Sequence, residues 1–231
     1  MRKVALVTGG ARGIGFAIAR HFARDHDVAI TWLNTSPIAL ADGVLCIQAD
    51  LTVNTTPSRV IAEVMERFGR LDVIVNNAGL VSPSTPDVFD AGDLEKMLNL
   101  NILAAHALLA AALPHLQAGA SIVNISSVNA VLPPGGAALY GASKAAMNLW
   151  TRGMAKELGP RQIRVNAVAP GAVNIPEEPR SDELLKLFAD QTALGRVASP
   201  DDISRAVRFL AGDEASFITG EVLTVSGGYR L

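Results

Sequence analysis

Tyr140 and Lys144 stand four residues apart in Tyr140-Gly141-Ala142-Ser143-Lys144, and Ser127 lies thirteen residues upstream. A helix over this segment puts positions i and i+4 on one face, so the Lys144 ammonium can lie beside the Tyr140 phenol. A free tyrosine titrates near about 10, and a neighbouring positive charge favours its phenolate. The pair therefore has the makings of a proton-transfer site. Such a pair also arises from composition alone, so its meaning rests on what surrounds it.

The second chemical signal is Thr8-Gly9-Gly10-Ala11-Arg12-Gly13-Ile14-Gly15, between an apolar run at Val4 to Val7 and an expected helix from Gly13 to Arg24. Glycine lets the backbone turn tightly and approach a phosphate with no Cβ in the way. A helix N-terminus there attracts an anion, and the first βα turn is where a dinucleotide pyrophosphate sits in doubly wound folds. The spacing, Gly9-x-x-x-Gly13-x-Gly15, differs from the GxGxxG fingerprint.

The elements that must position these residues alternate strand and helix, the pattern of a parallel sheet with helices on both faces. Strands are expected at Val4 to Val7, Val28 to Leu33, Val44 to Gln48, Asp72 to Asn76, Ser121 to Ser126, Ile163 to Ala169 and Glu221 to Val225. Helices are expected at Pro57 to Phe68, Leu94 to Leu116, Tyr140 to Leu158, Asp182 to Gln191 and Asp201 to Ala211. Only about ten residues join the second and third strands, so that connection should be a turn or a single helical turn rather than a full crossover helix. The expected fold is α/β, a Rossmann-type doubly wound sheet of seven strands in one domain spanning 1–231.

Composition agrees with this plan and excludes several functions. With 231 residues, 49% of them apolar, and twenty glycines, the chain can bury a full α/β core. A net charge of −2 with both signs scattered offers no basic field for nucleic acid or a membrane surface. The single cysteine, Cys46, permits no internal disulfide, and it reads as a small core hydrophobe on a buried strand. No apolar run has the length of a signal core or a membrane span, so a cytoplasmic protein is expected. His21, His26, His106 and His115 are scattered and read as structural or surface residues, with no metal site. Glu177-Glu178 reads as a solvated loop, and the face from Ala145 to Met154 with Trp150 as core or an oligomer seam.

Taken in order, these motifs resemble those of the classical short-chain dehydrogenase/reductase family, including its 3-oxoacyl-carrier-protein reductase-like members, along essentially the whole chain. TGxxxGxG matches Thr8 to Gly15, NNAG matches Asn76-Asn77-Ala78-Gly79, and YxxxK matches Tyr140 to Lys144. Asp50 closes the third strand, Asn101 and Ser127 fall on the family's catalytic Asn and Ser, and Pro170-Gly171 on its PG turn. The C-terminal Ile218-Thr219-Gly220 and Ser226-Gly227-Gly228 also fit. Ser126 and Asn99 are neighbouring decoys; the Ser127 to Tyr140 spacing and the Asn-Leu-Asn order favour Ser127 and Asn101.

The resemblance implies that Tyr140 exchanges a proton with a carbonyl or alcohol oxygen while a nicotinamide exchanges hydride with the same carbon. It implies that Ser127 holds that oxygen, that Lys144 lowers the Tyr140 pKa and binds the nicotinamide ribose, and that Asn101 anchors a water supplying protons. For the cofactor it implies the loop amides from Gly9 to Gly15 at the pyrophosphate, Asp50 and Leu51 at the adenine, and Asn77, Ala78 and Gly79 at the ribose. Asn34, Tyr140, Pro170, Gly171 and Val173 complete the expected contacts. The second strand ends without an acid, in Thr31-Trp32-Leu33-Asn34, and Arg12 could pair with a 2′-phosphate, so NADP is favoured over NAD. The substrate is expected to be a small free ketone or secondary alcohol, with a 3-oxoacyl thioester as the alternative. The loops Leu80 to Ala91 and Asn174 to Arg180, which have little basic character, should line the substrate end. A dinucleotide-binding regulator without turnover is the non-enzyme alternative, and a homotetramer or homodimer the expected assembly.

Overall fold

The computed structural model describes residues 2–37, 40, 42–87 and 90–229. Its strands are β1 (Val4–Val7), β2 (Asp27–Trp32), β3 (Leu45–Gln48), β4 (Leu71–Asn76), β5 (Leu116–Ile125), β6 (Arg164–Pro170) and β7 (Val222–Val225). The helices are α1 (Gly13–Phe22), α2 (Thr56–Phe68), α3 (Ala91–Leu98), α4 (Ala104–Ala112), α5 (Ala138–Leu158), α6 (Asp182–Asp190) and α7 (Pro200–Ala211). The strands form one parallel sheet in the order β3-β2-β1-β4-β5-β6-β7. The chain runs outward from β1 to β3 and then restarts beside β1 at β4, so the order reverses between β1 and β4. That reversal opens the crevice where doubly wound sheets bind ligands.

Helices cover both faces, as the apolar strands require. On one face Val60, Ile61 and Val64 of α2, Leu108 and Ala112 of α4 and Leu158 of α5 pack on Val4, Leu6, Ile47, Ile74 and Ile122. On the other, Ile18 and Phe22 of α1 and Ile203, Val207 and Leu210 of α7 pack on Val7, Ile30, Val75 and Val168. Asn76, Asn124 and Thr151, all buried, form a polar chain through the first of these cores: Asn76 Nδ2 donates to Asn124 Oδ1 at 2.8 Å, and Asn124 Nδ2 to Thr151 Oγ1 at 2.9 Å. This ties β4 and β5 to α5.

Three expectations are corrected. The helical region expected from Leu94 to Leu116 is two α-helices joined by a π-helical turn at Asn99–Leu103, and it ends at Ala112, because Leu116 already pairs with Leu71 as the first residue of β5. That strand starts earlier than expected and carries an irregularity, a step of five residues from Leu116 to Ser121 answering a step of two from Leu71 to Val73. Finally, Cys46 is exposed. It pairs with Ile30, so it points to the α1 side of the sheet. A crossover helix between β2 and β3 would have covered β3 there, but the short connection supplies none among its described residues, and Cys46 and Gln48 face outward while Ile47 is buried under α2. Accordingly, Cys46→Ser should change stability by less than about 0.5 kcal/mol, whereas Ile47→Ala should cost about 2–4 kcal/mol in urea denaturation.

Candidate active site

The glycine turn folds as it does because neighbouring backbone leaves no room for side chains. A Cβ on Gly15 would stand 2.2 Å from the Gly9 carbonyl oxygen, and one on Gly10 would stand 2.5 Å from Ile30 Cγ2. Gly9 and Gly13 have φ of 64° and 55°, which only glycine adopts readily. Thr8 and Asn77 then fix the turn. The Thr8 hydroxyl accepts the Asn77 and Ala78 amides at 2.9 and 3.0 Å, and Asn77 Nδ2 donates to the Thr8 and Gly9 carbonyls at 2.9 and 3.1 Å.

Beneath this turn lies a cavity of about 560 Å³. Of the sequence-predicted cofactor residues, Gly9, Ala11, Arg12, Gly13, Ile14, Gly15, Asn34, Asp50, Leu51, Asn77, Ala78 and Gly79 line it. Gly10 is buried against β2 outside the lining. Pro170, Gly171 and Val173 also lie outside it: Gly171 is pressed against Ser226, and Val173 is buried where its segment bridges Ala198. Asp50 turns its carboxylate to Thr52, accepting the amide at 3.0 Å and the hydroxyl at 2.6 Å. Trp32, Leu33, Thr35, Lys96, Leu100 and Ile175 are among the further wall residues; Lys96 and Leu100 were not foreseen, and Ile175, from the loop expected at the substrate end, lies instead at this cavity. The alternation of strand residues could have placed Trp32, but Lys96 and Ile175 arrive from elements distant in sequence.

Tyr140, Ser127, Lys144 and Asn101 meet beside this cavity, at the C-terminal ends of β4 and β5. Lys144 is buried and donates from Nζ to the Ile125 carbonyl at 2.8 Å, and its Nζ lies 5.8 Å from the centroid of the Tyr140 ring. Burial pulls the Lys144 pKa down to about 8. Burial also raises that of Tyr140, with the Ser127 hydroxyl pulling the other way. The Lys144 ammonium is held by the carbonyl of Ile125 while staying on the Tyr140 side of the helix. Ser126, the decoy, turns away toward Asn148 Oδ1 at 2.6 Å.

Asn101 sits buried in the π-helical turn, a device that re-aims side chains and recurs at functional sites. Its Oδ1 accepts the Leu80 amide at 2.8 Å, and its Nδ2 donates to the Leu80 carbonyl at 2.9 Å and to Ser143 Oγ at 3.0 Å. A Cβ on Gly79 would stand 3.2 Å from Asn101 Oδ1 and 3.6 Å from Lys144 Nζ, so glycine keeps the space between them open. A second cavity, about 10 Å³ and close to the room of one water, is bounded by Thr8, Asn76, Asn101 and Lys144 among others.

A switch-point crevice with a glycine turn at its mouth, and a half-buried Tyr140 with buried Ser127 and Lys144 beside it, fit a dinucleotide-dependent oxidoreductase site. Residues 9–230 match the family model described as enoyl-(acyl carrier protein) reductase. An uncharacterized oxidoreductase of Methylorubrum extorquens is 38% identical over 99% of this chain and 98% of its own length. A short-chain dehydrogenase of Burkholderia cenocepacia, solved in complex with NADP, is 37% identical with a TM-score of 0.92, over 99% of this chain and 98% of its own. A 3-ketoacyl-(acyl-carrier-protein) reductase of Brucella melitensis, complexed with NADH, is 29% identical with a TM-score of 0.90, over 99% and 98% of the two chains. The chain belongs to the short-chain dehydrogenase/reductase family, and it is an NAD(P)-dependent oxidoreductase.

The buried Lys144 has a measurable signature. An unfolded lysine titrates near 10.5 and the folded one near 8, so between these values the unfolded chain binds the extra proton and stability rises with pH. Relative to Lys144→Met, the unsubstituted protein should gain roughly 2–3 kcal/mol between pH 7.5 and 10.5 in chemical denaturation, the difference removing titrations common to both.

Proposed function

We propose that this protein transfers hydride between NADP(H) and a small free ketone or secondary alcohol, with residues 1–231 acting as one catalytic domain. The observation that carries the reading is the meeting of Tyr140, Ser127 and Lys144 beside a cavity of dinucleotide size. The nicotinamide supplies hydride chemistry when bound; the protein supplies position and proton transfer. Tyr140 gives its phenolic proton to the substrate oxygen in reduction and takes one in oxidation. A phenol raised by burial is held protonated at neutral pH, the form that reduction needs. Ser127 hydrogen-bonds the same oxygen and holds it within reach. The ammonium of Lys144 makes the region electropositive where the phenolate forms, and Asn101 places a water between Lys144 and solvent.

NADP is favoured because Arg12 lines the cavity and the end of β2 offers no acid to meet a 2′-hydroxyl. Around Ser127 and Tyr140 the exposed Val131, Leu132 and Leu139 favour an uncharged, apolar substrate. The likeness to the Brucella melitensis reductase favours a 3-oxoacyl thioester as the second reading. We place the enzyme in the cytoplasm as a homotetramer, paired in part through the exposed Leu103 and Leu149 beside α4 and on α5.

Tyr140→Phe should lower kcat by about 10²–10⁴-fold and leave NADPH binding intact, measured by loss of reduced-nicotinamide absorbance over a panel of small ketones and one 3-oxoacyl thioester. Binding without turnover on every substrate would point to a regulator instead. NADPH should give a higher kcat/KM than NADH, and sedimentation should report about four times the 24.2 kDa chain mass.

A further inference from the structure

The strap from Asn174 to Arg180, between β6 and α6, crosses to the glycine turn on the far side of the crevice. Its root is fastened: the Asn174 amide donates to the Ala198 carbonyl at 2.9 Å, and that of Ala198 to Ala172 at 3.0 Å. Its tip is a tight turn, in which the Glu178 amide donates to the Ile175 carbonyl at 3.0 Å and the Arg180 amide to Asn174 Oδ1 at 3.2 Å. This geometry presents three side chains to the turn. Ile175 lies over Gly13 and lines the cavity. Glu177 Oε1 accepts the Gly13 amide at 3.3 Å, and the Glu178 carboxylate is ion-paired with the Arg12 guanidinium. Glu177 and Glu178 stay solvent-exposed, as expected for a solvated loop, and in addition make these two contacts with the cofactor-binding turn.

The positions of these contacts give them meaning. The first turn of α1 has no acidic residue of its own, and Arg12, its N-cap, makes no side-chain capping bond. The helix end and Arg12 together are a positive locus, and two carboxylates from a distant loop fill it. A dinucleotide brings its own negative phosphates to the same turn, and like charges cannot share it.

We propose that Glu177 and Glu178 form an acidic latch that competes with the cofactor's phosphates and sets cofactor choice: Glu177 opposes either dinucleotide at the Gly13 amide, and Glu178 opposes NADP(H) selectively by holding Arg12. The inference rests on the dinucleotide reading of the glycine turn. The latch is weak enough to yield, because Arg12 and Glu178 keep 45% and 68% of their side-chain surface exposed, and exposed ion pairs contribute little. NAD(H) has no 2′-phosphate to claim Arg12, so the Arg12–Glu178 pair can persist in its presence.

The test is titration of the purified full chain, and of its Glu177→Gln and Glu178→Gln variants, with NADPH and with NADH, followed by calorimetry. Circular dichroism melting confirms that the variants fold. Glu178→Gln should bind NADPH about fivefold more tightly and shift NADH by less than about twofold; Glu177→Gln should tighten both by a similar few-fold factor. Unchanged or weaker NADPH binding in Glu178→Gln, or equal tightening of both cofactors by it, overturns the selective latch. Failure of the unsubstituted chain and both variants to bind either dinucleotide would overturn the dinucleotide site itself, and the latch with it.

Discussion

The exchange of hydrogen bonds between Thr8 and Asn77 is the constraint on which the rest of the molecule depends. It joins the end of β1 to the end of β4 at the one place where the strand order reverses. A sheet alone would leave that boundary as two loops with unpaired backbone groups. Here the Thr8 hydroxyl accepts two amides and donates to the Val75 carbonyl at 3.3 Å, while the Asn77 amide group closes the turn from above. The Thr8 hydroxyl and the Asn77 side-chain NH2 thus find their partners inside the protein, which is the condition for burying polar groups without loss. The turn is thereby rigid before any ligand arrives, and the floor of the crevice inherits that rigidity.

A second polar layer carries the constraint to α5. Asn76 on β4 bonds Asn124 on β5, and Asn124 bonds Thr151 on α5, so the helix bearing Tyr140 and Lys144 is keyed to the sheet rather than free to rotate on an apolar face. From the other side, Asn101 clamps the segment at Leu80 and reaches Ser143, whose hydroxyl donates to the Tyr140 carbonyl at 2.7 Å. Apolar packing holds the layers together, but it is directionless. The amides and hydroxyls are what fix which residues of α5 face the crevice.

Much of this was legible from local pattern. Apolar runs separated by helical stretches gave the strands almost to the residue at β1, because a strand buried on both faces has no other way to be written. The glycine spacing and the Tyr140 to Lys144 interval placed their residues on the turn and on one helix face. What escaped was non-local. Nothing near Glu177 or Glu178 announces that they reach Arg12 and Gly13, 164 residues from Glu177 in the latter case. Nor does anything near Lys144 show that a backbone carbonyl on β5 takes a hydrogen bond from its ammonium. The π-helical turn at Asn101 inserts one extra residue into a helix whose composition gives no break. Cys46 was misplaced for a different reason: its strand is apolar enough to be buried, but burial needs a covering element, and the described residues of the β2–β3 connection form none.

The lack of a crossover helix among the described residues between β2 and β3 also makes the molecule asymmetric in what it can tolerate. β4, β5, the Leu80 segment and α5 are tied to one another by the hydrogen bonds around the active-site residues, so a change of length there propagates to them. The described residues 33–36, 42 and 43 of the stretch joining β2 to β3 are exposed beside an edge strand, and β3 takes its register from β2 alone. Chain can be inserted there, or a new side chain offered to the adenosine end, while the distances around Tyr140 stay as they are. The short connection is in this sense a modular port, a place where ligand preference can be rewritten independently of the chemistry.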